Sequence, residues 1–191
     1  MRRFYSILCV IFFSLSICSC SSVSAKANME EIRGFLSSCG NMEIRAAVTA
    51  DYGDRVFEYT LKYSGTSDSG VIEIISPDIV AGVRAHVSFD DGINLEYDGV
   101  SLDTGKLYED GLSPVDAIPV MLRQWTEGYV SDCSSEKYGD TDCTAATIAV
   151  SDEVTLRTWF DSASLLPVHS ELAYNGFVVI NCDFENISTQ Q

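Results

Sequence analysis

Residues 55–77 read RVFEYTLKYSGTSDSGVIEIISP. From Arg55 to Tyr63 the large side chains Phe57, Tyr59, Leu61 and Tyr63 fall on every second position, the period of a strand with one face buried. Gly65 to Gly70 are small and polar, a loop. Val71 to Ser76 is an apolar run stopped by Pro77, whose nitrogen cannot donate to a ladder. Two strands joined by a short polar loop must pair antiparallel.

The same grammar extends in both directions. Upstream, Ala46 to Ala50 precede a turn at Tyr52-Gly53-Asp54. Downstream, a strand is expected from Ile79 to Phe89, with Val83, Ala85, Val87 and Phe89 on one face. Asp91-Gly92 turns it into the alternating Ile93, Leu95 and Tyr97, and Asp98-Gly99 leads to Val100 and Leu102. Later strands are expected at 129–137, 144–150, 154–160, 167–174 and 177–184. Asn175-Gly176 is a type I′ signal between the last two. Two helices interrupt the series. The first, Asn28 to Ser38, places Ile32, Phe35 and Leu36 on one face, with Gly40 as its stop. The second opens at Ser113-Pro114-Val115-Asp116, with Ser113 as N-cap, Pro114 at the first helical position and Asp116 completing a capping box. Ile118, Met121, Leu122 and Trp125 follow at helical spacing, and Gly128 ends it. Strands linked by short turns with few helices define an α+β fold with a single curved antiparallel sheet.

The chain has 191 residues, enough for one domain. Its net charge of -16 argues against nucleic acid and anionic lipid as electrostatic partners. Two histidines do not make a multi-histidine metal site, and His86 and His169 read as satisfied strand residues. There is no G-x-S-x-G, Walker A or G-x-G-x-x-G pattern. Asp90 to Asn94 lacks the spacing of a calcium loop and reads as a hairpin turn. No cofactor, no metal and no catalytic residue is expected.

The first residues carry an address. Arg2 and Arg3 precede the apolar run Phe4 to Ile17, which is too short to span a bilayer comfortably and has the secretory pattern. Ile17-Cys18-Ser19-Cys20 resembles the lipobox of bacterial lipoproteins. The resemblance implies a signal peptide over 1–19, acylation of Cys20, and a polar tether over 20–27 before the domain at 28–191. The competing reading is ordinary cleavage near Ala25 or Ala27. Loss of residues 1–19 leaves 10 basic and 28 acidic residues, a net of -18. The expected location is the extracytoplasmic face of the cell membrane, lipid-anchored, with the acidic domain standing off the bilayer.

Four domain cysteines remain: Cys39, Cys133, Cys143 and Cys182. Cys133 and Cys143 flank a turn at Tyr138-Gly139-Asp140 and have their midpoint at Tyr138, so a three-residue loop would place them opposite each other. Cys39 with Cys182 would then tie the start of the domain to its last strand. Four buried free thiols are the alternative.

Three further stretches resemble the lipoprotein-carrier superfamily (LolA/LolB-like): Val71 to Pro77, Leu95 to Gly99 with Gly105-Lys106-Leu107, and Trp159-Phe160-Asp161 with Leu165-Leu166-Pro167 and Asn175-Gly176. The resemblance covers residues 42–187 and implies an unclosed half-barrel whose concave side is covered by two or so helices. The segment around Pro77 lacks the carriers' arginine, since Arg84 lies seven residues on, so lipoprotein shuttling is not carried over. What is expected is a monomer that binds a lipid, acyl chain or lipoprotein without chemistry. Phe57, Tyr59, Leu61, Phe89, Tyr97, Met121, Trp125 and Trp159 are the candidate lining of its apolar cleft. The alternative is an envelope protein-interaction or stress-sensing module with a packed core.

Overall fold

The structure, a computed structural model, describes residues 20–189, with side chains from Ser24 onward. Eleven antiparallel strands form one unclosed, curled sheet. They are β1 (Met42–Asp51), β2 (Val56–Gly65), β3 (Ser69–Ser76), β4 (Arg84–Ser88), β5 (Gly92–Tyr97), β6 (Val100–Gly105), β7 (Tyr129–Tyr138), β8 (Thr141–Ala149), β9 (Val154–Asp161), β10 (Pro167–Tyr174) and β11 (Phe177–Thr189). Helix α1 spans Cys20–Ser38 and α2 spans Pro114–Glu127. The spatial order β6-β5-β4-β3-β2-β1-β11-β10-β9-β8-β7 resolves into two meanders, β1 to β6 and β7 to β11. They are sewn together where β1 pairs with β11, from Met42↔Thr189 to Ala50↔Ile180. The α+β half-barrel expected from the sequence is the observed architecture.

This topology explains the position of α2. The chain leaves the sheet at one edge, β6, and re-enters at the other, β7. A connection between opposite edges must cross a face, and the face it crosses is the concave one. Ser113 caps α2 by accepting from the Asp116 N–H, as the sequence signature requires, and the Gly128 N–H closes it onto Gln124 O. The helix buries Ile118, Met121, Leu122 and Trp125. Trp125 Nε1 donates to Thr158 Oγ1 at 2.8 Å, and its ring meets Phe160 and Phe184 edge-on, each at 5.6 Å. Leu61, Tyr63, Ile72, Ala46 and Val48 complete the same core.

Two hairpins follow their turn chemistry. Asn175 and Gly176 have φ of 49° and 82°, and Asp98 and Gly99 have 50° and 76°, the paired positive values of a type I′ turn.

Three expectations need correction. The strand placed at Ile79–Phe89 begins only at Arg84, because residues 77–83 fold into a turn held by Val80 N to Pro77 O. Helix α1 begins at Cys20 rather than Asn28, so the residues taken for a tether, 20–27, are helical, and Ala25 is fully buried. The cysteine pairing fails on register. The β7–β8 turn has two residues, not three: Tyr138 faces Thr141, so Cys133 faces Ala146 and Cys143 faces Glu136. One residue of slip flips a side chain to the opposite face. Cys133 therefore lies in the main core and Cys143 in a separate cluster with Trp159. Cys39 sits beside Thr189, seven residues along β11 from Cys182, or about 23 Å at strand rise. All four thiols are free. Residues 1–19 lie outside the described residues, as does the side chain of Cys20.

Replacing Trp125 by alanine removes the ring that fills the centre of the concave face. The expected cost is about 4 kcal/mol of unfolding free energy, read by urea titration. A loss below about 1 kcal/mol would show that the centre is not packed on this ring.

Candidate functional site

The eight residues expected to line one cleft do not converge. Leu61, Met121 and Trp125 are fully buried core, and Tyr59 and Phe89 pack against that core half-buried. Arg123 lies over the Phe89 ring at 4.3 Å and closes the space above it. Phe57 and Tyr97 lie on the concave face but at strand ends, beyond the helices, and are exposed. Trp159 is on the convex face. The centre of the concave side is thus filled by these side chains.

A cleft of about 660 Å³ lies between α1 and the β7 edge. Met29 on α1 and Val130 and Cys133 on β7 give it an apolar floor. Lys26, Glu30, Arg33 and Glu127 ring the mouth. Arg33 Nε donates to Trp125 O at 3.3 Å, and Arg33 Nη2 donates to Gly128 O. It thereby satisfies the carbonyls at the end of α2 and fixes the two helices around the cleft. Cys133 Sγ donates to Ala25 O at 3.2 Å, and burial pushes its thiol up despite Lys26 nearby. A protonated, hydrogen-bonded thiol is a wall, not a nucleophile.

A second polar feature marks the start of α2. Asp116 is buried, and its Oδ1 has no hydrogen-bond partner. Burial pushes its carboxyl up to about 6, opposed by a hydrogen bond from Ser113 and reinforced by Asp110. Tyr52 stands nearby, donating to Leu112 O at 3.0 Å.

The convex face carries a cluster that alternation did not reveal. The His169 and Tyr138 rings stack at 4.7 Å, and Trp159 leans on both. His169 Nδ1 bonds Asp183 Oδ1 at 2.6 Å, and Tyr138 donates to the same oxygen at 3.2 Å. Glu136 accepts from Ser134, Trp159 and Arg157, which together hold its carboxyl below the usual range. These hydrogen bonds and ring contacts run between β7, β9, β10 and β11, so the cluster braces that part of the sheet. His86 pairs with Glu96 at 3.0 Å on the exposed side of β4 and β5. Both histidines are thus strand residues paired with acids. Among the described residues no group of acids, cysteines and histidines could hold a metal ion, and no helix is long and apolar enough to cross a membrane.

No protein-family model matches the sequence, and no curated protein matches it. Solved structures do share the fold. A DUF1329 family protein from Desulfovibrio piger aligns with a TM-score of 0.50 at 11% identity, over 87% of this chain and 93% of that one. An uncharacterized conserved protein from Thermus thermophilus aligns at 0.51 and 6% identity, over 88% of each chain. A LolA superfamily protein from Nitrosomonas europaea aligns at 0.46 and 10% identity, over 91% of this chain and 95% of its own. The alignments to the Desulfovibrio piger and Thermus thermophilus proteins show a shared fold.

Two measurements check this geometry. Of the four domain thiols, Cys39 alone should react fast with a thiol reagent on the native protein, with Cys133, Cys143 and Cys182 following on denaturation. An unreactive pair in the denatured, unreduced protein would show a disulfide. Asp116→Asn should stabilise the protein at neutral pH. The folded carboxyl ionises near 6 and the unfolded one near 3.8. The folded state therefore holds its proton longer, and loses relative stability as pH rises from about 4 to about 6. The variant should gain up to roughly 3 kcal/mol between pH 4 and pH 7.5 in urea titrations. A gain independent of pH would show that Asp116 is not strained by its charge.

Proposed function

We propose that this protein is a cell-envelope lipoprotein, anchored through Cys20 on the extracytoplasmic face. It binds an acyl chain of a lipid or lipoprotein in the cleft between α1 and β7, without chemistry. The observation that carries this reading is the cleft itself: about 660 Å³, with an apolar floor and a charged mouth. That volume lies within the range of sites for small ligands, and the division of its lining suits an amphiphile. The chain of such a ligand would lie against Met29, Val130 and Cys133. A phosphate or carboxylate head would meet Lys26 and Arg33 at the mouth, with Glu30 and Glu127 disfavouring a second negative group. The anchor and its location rest on the sequence of residues 1–20. The net charge agrees with a domain that meets the bilayer only through its lipid.

Native mass spectrometry tests the cleft. After incubation with phosphatidylethanolamine, the purified protein should carry a discrete lipid mass. Ala27→Trp, which builds a ring into the cleft from α1, should lose that mass while its melting temperature stays unchanged. A clean apo mass in the parent would overturn the ligand. An adduct of equal strength in the variant would overturn the site.

A further inference from the structure

The exposed large hydrophobic side chains are not scattered. The ladder registers place ten of the twelve at one end of the sheet, nine of them around four turns and the tenth, Tyr129, at the start of β7. Tyr52, Val56 and Phe57 flank the β1–β2 turn. Ile79 tips the β3–β4 turn at 89% exposure. Tyr97 and Val100 flank the β5–β6 turn, and Tyr174, Phe177 and Val178 the β10–β11 turn. These four turns belong to neighbouring strands, because β10-β11-β1-β2-β3-β4-β5-β6 are contiguous in the sheet. The turns at the opposite end are Thr66-Ser67-Asp68, Asp90-Asp91 and Asp161 to Ser164, and none of the twelve lies in them. One rim is apolar and aromatic, and the other is polar. Single exposed apolar residues need no explanation, but a row of them along one rim marks an interaction surface.

The charges set among these side chains say what fits. Asp51, Asp54, Asp78 and Asp98 are exposed in the same turns, and the only basic side chains there are Arg55 and Arg84. The Asn175 N–H bonds Glu153 O, which brings the β8–β9 turn with Asp152 and Glu153 alongside. An anionic bilayer would be repelled. A second copy, meeting this rim with its own, would set acid against acid in a two-fold contact. The complement is a basic polypeptide that also presents apolar side chains. We propose that the apolar, acid-studded rim formed by these four turns is a docking surface for such a basic protein partner. None of the four turns contributes a lining residue to the α1–β7 cleft, which meets this end of the sheet only at Tyr129.

The test uses fluorescence anisotropy of a labelled amphipathic Leu/Lys peptide against the purified protein, with a Leu/Glu peptide as the charge control. The Leu/Lys peptide should bind and the Leu/Glu peptide should not. Phe57→Ser combined with Phe177→Ser leaves every charge in place and should raise the Kd at least about tenfold. Asp54→Asn with Asp98→Asn should also weaken binding, whereas Asp90→Asn at the other end should not. Near-ultraviolet circular dichroism confirms that the variants fold. Unchanged affinity in the Phe57/Phe177 variant would overturn the proposal. So would binding to phosphatidylglycerol vesicles, or a dimer in sedimentation that the same variant abolishes. Ala27→Trp should bind the peptide normally, so failure of the cleft and failure of the rim are separate results.

Discussion

The structure depends on one contact, the indole of Trp125 set into the concave face. An open sheet of eleven strands exposes a whole apolar face, and among the described residues two helices are available to bury it. α2 meets that demand by lying across the middle, and Trp125 locks it there. Its N–H reaches Thr158 Oγ1, which in turn pairs with Ser170 Oγ at 2.8 Å. Buried hydroxyls without partners are costly, so this chain fixes the depth and rotation of the helix as well as filling space. Arg33 then ties α1 to the carbonyl end of α2. The order of dependence is sheet, α2, α1, and the cleft is a product of the last step.

It follows that any ligand is held at the periphery. A half-barrel with an empty centre could enclose several chains. Here Trp125, Phe160, Phe184, Met121 and Tyr63 occupy the centre, and what remains is the margin where α1 stops short of covering β7. A site at a margin is shallow and open on one side, so its affinity must draw on polar contacts at the mouth as much as on buried area. Charged side chains crowd the opening of this cleft, whose floor is apolar.

Much of this was legible in the sequence. The strand at residues 55–63, the turns at Asp98-Gly99 and Asn175-Gly176, and the limits of α2 from Ser113 to Gly128 follow local rules of period, turn chemistry and capping, and the structure keeps them. The candidate site was not legible, for two physical reasons. Parity is the first: in Thr158-Trp159-Phe160 two adjacent aromatics compete for the core, and only the ladder decides that Phe160 faces inward and Trp159 outward. The same one-residue sensitivity misplaced Cys143, through a turn one residue shorter than its composition suggested. The second reason is cover. Phe57 and Tyr97 lie on the correct face, but whether a residue on that face is buried depends on how far α2 reaches, which no local pattern encodes. The start of α1 at Cys20 belongs to the same class, because Ala25 and Met29 are held by β7 and β8 rather than by their own neighbours in sequence.

The uneven rims carry the argument one step further. A sheet end is a set of turns, and turn chemistry favours small polar residues everywhere. The polar end obeys that rule with Ser, Thr, Asp and Gly. The other end also obeys it at the turn positions themselves, Gly53, Asp98-Gly99 and Asn175-Gly176. It departs from it at the flanking positions, where Tyr97, Val100, Tyr174 and Phe177 stand exposed, and within two longer turns at Tyr52 and Ile79. Nothing in the hairpins demands aromatics there. A type I′ turn is set by the two residues with positive φ, not by the side chains outside them. Cross-strand pairing of Tyr97 with Val100 and Tyr174 with Phe177 contributes a little stability to each hairpin. That local gain would be available at the polar end too, and is not used there. The asymmetry between two ends built by the same rules is therefore a property of the surface, not of the fold.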